Sequence, residues 1–245
     1  MSDLGADVRS AFRWAISFAH FIPATLLLVA LRPLLGPRRI EPLLRLYSRN
    51  VVRLAGMRLE VERSPRIDAG AKYLFLSNHV NVFDPFVVYA SLGQRARGLE
   101  LESHFDVPVY GWLMRAFGNV PVPDRPSREG LVRLDREARD RLDRGYSLVI
   151  FPEGTRTRDG SLSLFRSGVF RLATRWGAAI IPVSMTGAFE FQQVSGFRLR
   201  PGVVRVRLHD PIEVDGRTPD QLSALAFEVI RSAIDSSAPR PRPPR

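Results

Sequence analysis

The stretch SNHVNVFDP, Ser77 to Pro85, sets His79 and Asp84 five residues apart, just behind the apolar run YLFL. On a continuous helix five residues turn through about 500°, which leaves two side chains on different faces. They meet only if His79 lies at a strand-to-helix bend and Asp84 in the first turn of the helix that PFVVYASL predicts. In that arrangement the carboxylate accepts a hydrogen bond from one ring nitrogen, fixes the tautomer and leaves the other nitrogen as a base. The chain has no cysteine, and no G-x-S-x-G elbow marks a serine nucleophile. A base without a nucleophile of its own would act on a hydroxyl that the substrate brings. The alternative is a histidine satisfied by its own turn.

Three other stretches offer matching chemistry. FPEGTRTRDG, Phe151 to Gly160, follows the apolar run SLVI and sets Glu153, Arg156 and Arg158 around Gly154. Glycine permits a tight bend, and an arginine fork matches a phosphate or carboxylate. GNVPVPDR ends in Arg125, a further cation after a short extended run. IIPVSMTG, Ile180 to Gly187, is an apolar strand and turn, a wall for an acyl chain or thioester. Each also has a plainer reading, as a surface turn or a core strand.

The elements that must position these groups follow from patterning. Short apolar or β-branched runs recur at 72–77, 97–103, 119–122, 147–151, 179–185 and 203–209. Helical patterns lie between them. From Ser127 to Arg144 the residues Leu131, Leu134, Ala138 and Leu142 share one stripe. Near the end, Thr218, Pro219 and Gln221 form a helix-start signature before an apolar run. Strands alternating with helices predict a single α/β domain, with a largely parallel central sheet flanked by helices. Trp14 to Leu31, WAISFAHFIPATLLLVAL, carries no Asp, Glu, Lys or Arg and has arginines on both sides. It predicts a membrane-associated helical segment, kinked or re-entrant at Pro23. The arginine excess after the segment places the rest of the chain on the cytoplasmic face of the cell's inner membrane. The division expected is 1–56 for the N-terminal helical region, 57–235 for the α/β domain, and a disordered basic tail over 236–245.

Lys plus Arg number 36 against 25 Asp plus Glu, a net charge of +11, with Lys72 the only lysine. That surplus fits either nucleic acid or an anionic lipid surface. A nucleic-acid binder would leave FPEGTR and the apolar N-terminal segment without a use, so the expected partner is the membrane surface. A non-catalytic basic membrane-binding protein would have no need of both His79 and Asp84.

NHVNVFD, GNVPVPDR, FPEGTR and IPVSMTG, in this order, resemble the four successive motifs of the glycerolipid acyltransferases of the lysophosphatidic acid acyltransferase type. The resemblance runs from about Leu74 to Gly187. It implies transfer of an acyl group from acyl-CoA or acyl-carrier protein to a hydroxyl of a lysophospholipid such as 1-acylglycerol 3-phosphate. No metal or other cofactor is implied. By position His79 would be the general base and Asp84 its orienter. Arg125, Glu153 and Arg156 match positions that bind the acceptor's phosphate, with Gly154 and Thr155 shaping that loop and Pro182 in the fourth motif. Glu153 reads as a carboxylate holding an arginine fork in place. The chain departs from the family before PVYGW, where Glu100, Glu102 and Asp106 replace a lysine-rich stretch. A negative rim there would favour a zwitterionic or amino-lipid acceptor over a phosphomonoester.

Overall fold

In chain order the strands are β1 (Met57–Arg63), β2 (Leu74–Ser77), β3 (Ala96–Leu101), β4 (Val120–Val122), β5 (Ser147–Ile150), β6 (Ile180–Thr186) and β7 (Gly202–Leu208). These lie among residues 3–237, which the computed structural model describes. They form one sheet in the spatial order β1-β7-β6-β2-β5-β3-β4. Neighbours from β6 to β4 run parallel, β7 is antiparallel to β6, and β1 is parallel to β7. The central strands β2 and β6 are buried almost throughout. Burial on both faces is why they read as continuous apolar runs instead of alternating ones. Patterning finds six of the seven strands. It misses β1, MRLEVER, an edge strand whose Glu60 and Glu62 pair with Arg205 and Arg207 of β7 at 3.0 and 3.4 Å.

Helices cover the two faces separately. On one face α1 (Asp3–Ala55), α2 (Asp84–Ser91) and α3 (Tyr110–Phe117) pack with Phe75, Val149 and Ile181. On the other, α4 (Arg128–Asp143), α5 (Ser167–Trp176) and α7 (Pro219–Ser237) bury Leu74, Leu76, Leu148 and Ile180. A four-residue turn of helix, α6 (Ala188–Phe191), follows β6. The caps are those the sequence calls for. Ser127 Oγ accepts from the Gly130 N–H at 3.1 Å, and Thr218 and Gln221 exchange bonds at 2.9 and 3.3 Å. The α4 stripe is narrower than expected: Leu134, Ala138 and Leu142 are buried, whereas Leu131 is 47% exposed.

The N-terminal segment departs from expectation in where it bends. The helix passes through Pro23 and breaks at Gly36, with φ 68° and ψ 172°. A residue preceding proline is driven out of the α region, and only glycine adopts that φ without strain, so Gly36-Pro37 wins over Pro23. The second leg folds back on the first, with Thr25 Oγ1 and Tyr47 Oη 2.7 Å apart. The first leg, Leu4–Gly36, is long and apolar enough to cross a membrane, with mean hydropathy 1.9. It also holds the domain: Trp14 stacks on Phe83 at 5.3 Å and donates to the Phe197 carbonyl at 2.8 Å. Its other side exposes Val8, Phe12 and Ile22. The second leg is anchored by a buried Glu41–Arg97 pair, whose guanidinium lies 4.0 Å over Tyr146. The tail expected to be disordered falls, from residue 238 onward, outside the described residues.

Candidate active site

Parallel neighbours end at a common edge, so the segments leaving β2 and β5 emerge side by side. His79 leaves β2 at the bend before α2, and Asp84 is the first residue of α2. His79 Nδ1 stands 2.7 Å from Asp84 Oδ2. The same oxygen accepts the Asn81 N–H at 2.9 Å and the Val80 N–H. An oxygen accepting two backbone donors is a carboxylate oxygen, so the ring nitrogen facing it carries the hydrogen. Nε2 is thereby left with its lone pair. Asp84 is fully buried, while the His79 side chain keeps 20% of its surface. Its ring stacks on Phe151, the first residue after β5, at 4.2 Å.

The bend itself is held by residues that the sequence reading passed over or read otherwise. Asn78 exchanges two bonds with the Met185 backbone on β6, at 2.8 and 2.9 Å. Asn81 Oδ1 caps the Phe83 N–H at 2.9 Å and Nδ2 reaches the Ala188 carbonyl. The signal for Asn78 was available: a polar residue between an apolar strand and the candidate base, which must satisfy its amide inside the fold.

Glu153 corrects an expectation. It grips no arginine among the described residues; Oε1 accepts the His79 N–H at 2.7 Å and Oε2 the Ser163 N–H at 2.8 Å. Burial pushes its carboxyl above the usual range, against the lowering effect of those two donors. Glu153 therefore fixes the backbone of the base. Gly154, with φ 71°, carries no side chain because Arg166 lies across it; a Cβ there would stand 2.3 Å from Arg166 Nε.

His79 opens into a cleft of about 1680 Å³, larger than the ~300–1,000 Å³ of ordinary small-molecule sites. Gly154, Thr155, Arg156 and Arg158 line it. Four candidate residues do not: Asp84 and Glu153, both buried, and Pro182 and Arg125. Pro182 is buried in β6, paired in register with Leu76, and its carbonyl accepts the His209 N–H at 2.9 Å. Arg125 is exposed beyond the lining, because its turn is pinned by Asp124, which accepts the Ser103 N–H at 2.9 Å and the Ser103 hydroxyl at 2.6 Å. Of the cations that line the cleft, Arg156 and Arg158 stand on the loop after β5, neither with a side-chain hydrogen bond or ion pair among the described residues.

The acidic rim is also quieter than its composition implies. Glu102 pairs with Arg133 at 2.7 Å and Asp106 with Arg115 at 3.0 Å. Glu100 accepts from His104 Nδ1 at 3.1 Å. That bond holds the His104 imidazolium above the usual histidine value, against partial burial and the repulsion of Arg156. Among the described residues no group of three His, Cys, Asp or Glu side chains is arranged to hold a metal ion.

Residues 58–186 match the family model described as Acyltransferase. Among curated proteins, the chloroplastic 1-acyl-sn-glycerol-3-phosphate acyltransferase LPAT1 of Arabidopsis thaliana is 33% identical over 71% of this chain and 48% of its own length. The alpha form of Homo sapiens is 26% identical over 78% of this chain and 68% of its own. The chain spans about half the length of the plant relatives it matches. Among solved structures, the 1-acyl-sn-glycerophosphate acyltransferase PlsC of Thermotoga maritima superposes with a TM-score of 0.84 at 20% identity, covering 99% of this chain and 100% of that one. At that identity the likeness speaks for the fold, including the sheet and the N-terminal helices.

Proposed function

The chain belongs to the acyltransferase family, and from that premise we propose that it moves a fatty acyl group from acyl-CoA or acyl-carrier protein to the free hydroxyl of a lysophospholipid. The observation that carries this reading is a histidine with one nitrogen bound to a buried carboxylate and the other facing a cleft that also presents unpaired arginines. Nε2 takes the proton of the acceptor's hydroxyl as its oxygen attacks the thioester carbon. The C–O bond forms, the C–S bond breaks, and the proton passes from the imidazolium to the departing sulfur. Asp84 holds the tautomer and stabilises the imidazolium between the two transfers.

Arg156 and Arg158 are the proposed phosphate-binding pair for the acceptor, in place of Arg125 and Arg156. Their free guanidiniums, together with the paired rim acids, favour a phosphomonoester such as 1-acylglycerol 3-phosphate over a zwitterionic or amino-lipid acceptor. Gly154 and Thr155 shape the loop that presents them. The reading calls for no cofactor beyond the thioester donor. The exposed apolar side of the first α1 leg supports attachment to a membrane, with the arginines behind it adding affinity for anionic lipid on the cytoplasmic face of the inner membrane. The test is acyl transfer by the purified protein in detergent, from acyl-CoA and acyl-carrier protein, to a panel of lysolipids read by mass spectrometry. Transfer to 1-acylglycerol 3-phosphate supports the reading. Absence of transfer to every lysolipid, with CoA or carrier thioester intact, refutes it.

A further inference from the structure

The cleft does not stop at His79. It crosses the carboxyl edge of the sheet: Phe21 and Phe86 line it on the α1–α2 face, and Arg128, Leu131 and Arg171 on the α4–α5 face. Two helical stripes border that second part. On α4 it holds positions 128, 131, 132 and 135, and on α5 positions 168, 171, 172 and 175, each spaced i, i+3, i+4, i+7. The stripes are joined at their outer end. Arg175 pairs with Asp135 at 3.4 Å, Trp176 Nε1 donates to Asp135 at 2.8 Å, and Arg139 donates to the Arg175 carbonyl at 2.9 Å. The inner end lies at Gly154, next to the base.

The groove exposes apolar and cationic side chains together. Leu131 and Val132 stand 47% and 61% exposed, although Leu131 belongs by spacing to the stripe expected in the core. Arg128 and Arg171 are exposed and have no side-chain hydrogen bond or ion pair among the described residues. Arg133, Arg139 and Arg141 of the same α4 each have an acidic partner, and Arg136, which has none among the described residues, does not line the cleft. Unpaired guanidiniums on two helices that line one cleft, with the exposed Leu131 and Val132 beside Arg128, suit a ligand with phosphates at one end and an uncharged arm at the other.

We propose that the α4–α5 groove binds the carrier end of an acyl-CoA donor, its phosphates on Arg128 and Arg171 and its pantetheine arm along Leu131 and Val132 toward His79. The assignment rests on the acyltransferase reading. It separates the substrates across the sheet edge, with the acyl chain running to the apolar α1–α2 end and the acceptor's phosphate on the β5 loop. The concave shape favours a nucleotide: a carrier protein would meet projecting side chains on a broad surface, and the groove is recessed between two helices.

The experiment uses the full chain in detergent, with Arg128→Gln and Arg171→Gln combined. Calorimetric titration of free CoA reports binding without turnover, and the KM for acyl-CoA is compared with that for acyl-pantetheine, which lacks the phosphates. Solvent-exposed charge pairs contribute modestly, so the double variant should weaken CoA binding and raise the acyl-CoA KM about tenfold. The acyl-pantetheine KM should stay within twofold. Arg144→Gln, the same kind of substitution just past the end of α4 and outside the groove, should move none of these. An unchanged CoA affinity overturns the proposal, as does an equal rise for acyl-pantetheine or activity confined to acyl-carrier protein. If CoA binds and the variant loses it while no lysolipid is acylated, the reaction assignment fails and the groove stands.

Discussion

Asp84→Asn separates the two things the carboxylate is proposed to do. Oδ2 accepts from His79 Nδ1, Asn81 N and Val80 N, whereas Oδ1 is buried without a partner. An asparagine can place its amide oxygen where Oδ2 sits and its NH2 where Oδ1 sits. The three donors keep an acceptor, and the imidazole keeps its hydrogen on Nδ1. What disappears is the negative charge beside the imidazolium that forms during transfer. Opposite charges about 4 Å apart attract by about 4 kcal/mol at an effective dielectric near 20. That is a loss of about 10³ in kcat.

A new buried NH2 without an acceptor costs about 1–3 kcal/mol of stability, and thermal unfolding should show it. The assay is kcat for acyl-CoA with a lysophospholipid, alongside both KM values. The proposal predicts a fall of about 10³ in kcat with acceptor and donor KM held within a few-fold. Retention of a tenth or more of kcat by a folded Asp84→Asn protein refutes imidazolium stabilisation. A fall that appears in KM refutes the placement of Asp84 behind the base.

His79→Ala removes the base itself, and kcat should fall about 10²–10⁴-fold with the fold intact by circular dichroism. Glu153→Gln replaces one acceptor by a donor facing an N–H, so one charge-assisted bond of about 1.5–3 kcal/mol is lost. Tm should drop by about 3–12 °C and kcat should fall; a rise in acceptor KM alone would restore the role of arginine holder. His104 should titrate above free histidine in an NMR pH series, and Glu100→Gln should lower it. Because its folded value is raised, its contribution to stability is present below about pH 6.5 and is lost as pH rises through the folded value. His209, half-buried and beside Arg207, should titrate below free histidine. Membranes washed in high salt should retain the protein, because apolar burial by the α1 leg is not screened; complete extraction would show a peripheral attachment.

Much of this was legible in the residues, and the failures have physical causes. The His79–Asp84 contact followed from a turn count, since only a bend lets two side chains five apart meet. Six strands were visible as short apolar runs because parallel strands are buried on both faces. β1 was not, because this edge strand carries charged residues, two of which, Glu60 and Glu62, go to ion pairs with β7. Pro23 reads as the breaker because proline lacks a donor, yet the glycine-proline step at Gly36 costs the helix more. Arg125 and Glu153 were judged by residue type, which says what a side chain offers and not where its turn points it. Charge counts along 100–106 likewise said nothing of the arginines and the histidine that neutralise each acid.

The link that the residues carried and that went unused is register. Leu76 on β2 pairs with Ile150 on β5. His79 and Glu153 each lie three residues beyond that pair, so the carboxylate falls beside the histidine's own N–H although 74 residues separate them. The same ladder sets Ser77 against Val183, which brings Asn78 within reach of the Met185 backbone. A motif in this fold is thus a fixed offset from a strand end. Because Pro152 and Glu153 lie in a turn closed by the Gly154 N–H on the Phe151 carbonyl, inserting one residue between Ile150 and Glu153 would move the carboxylate off the His79 N–H and leave that donor unpaired. The spacing of FPEGTR from its strand is a requirement of the base, independent of any arginine in it.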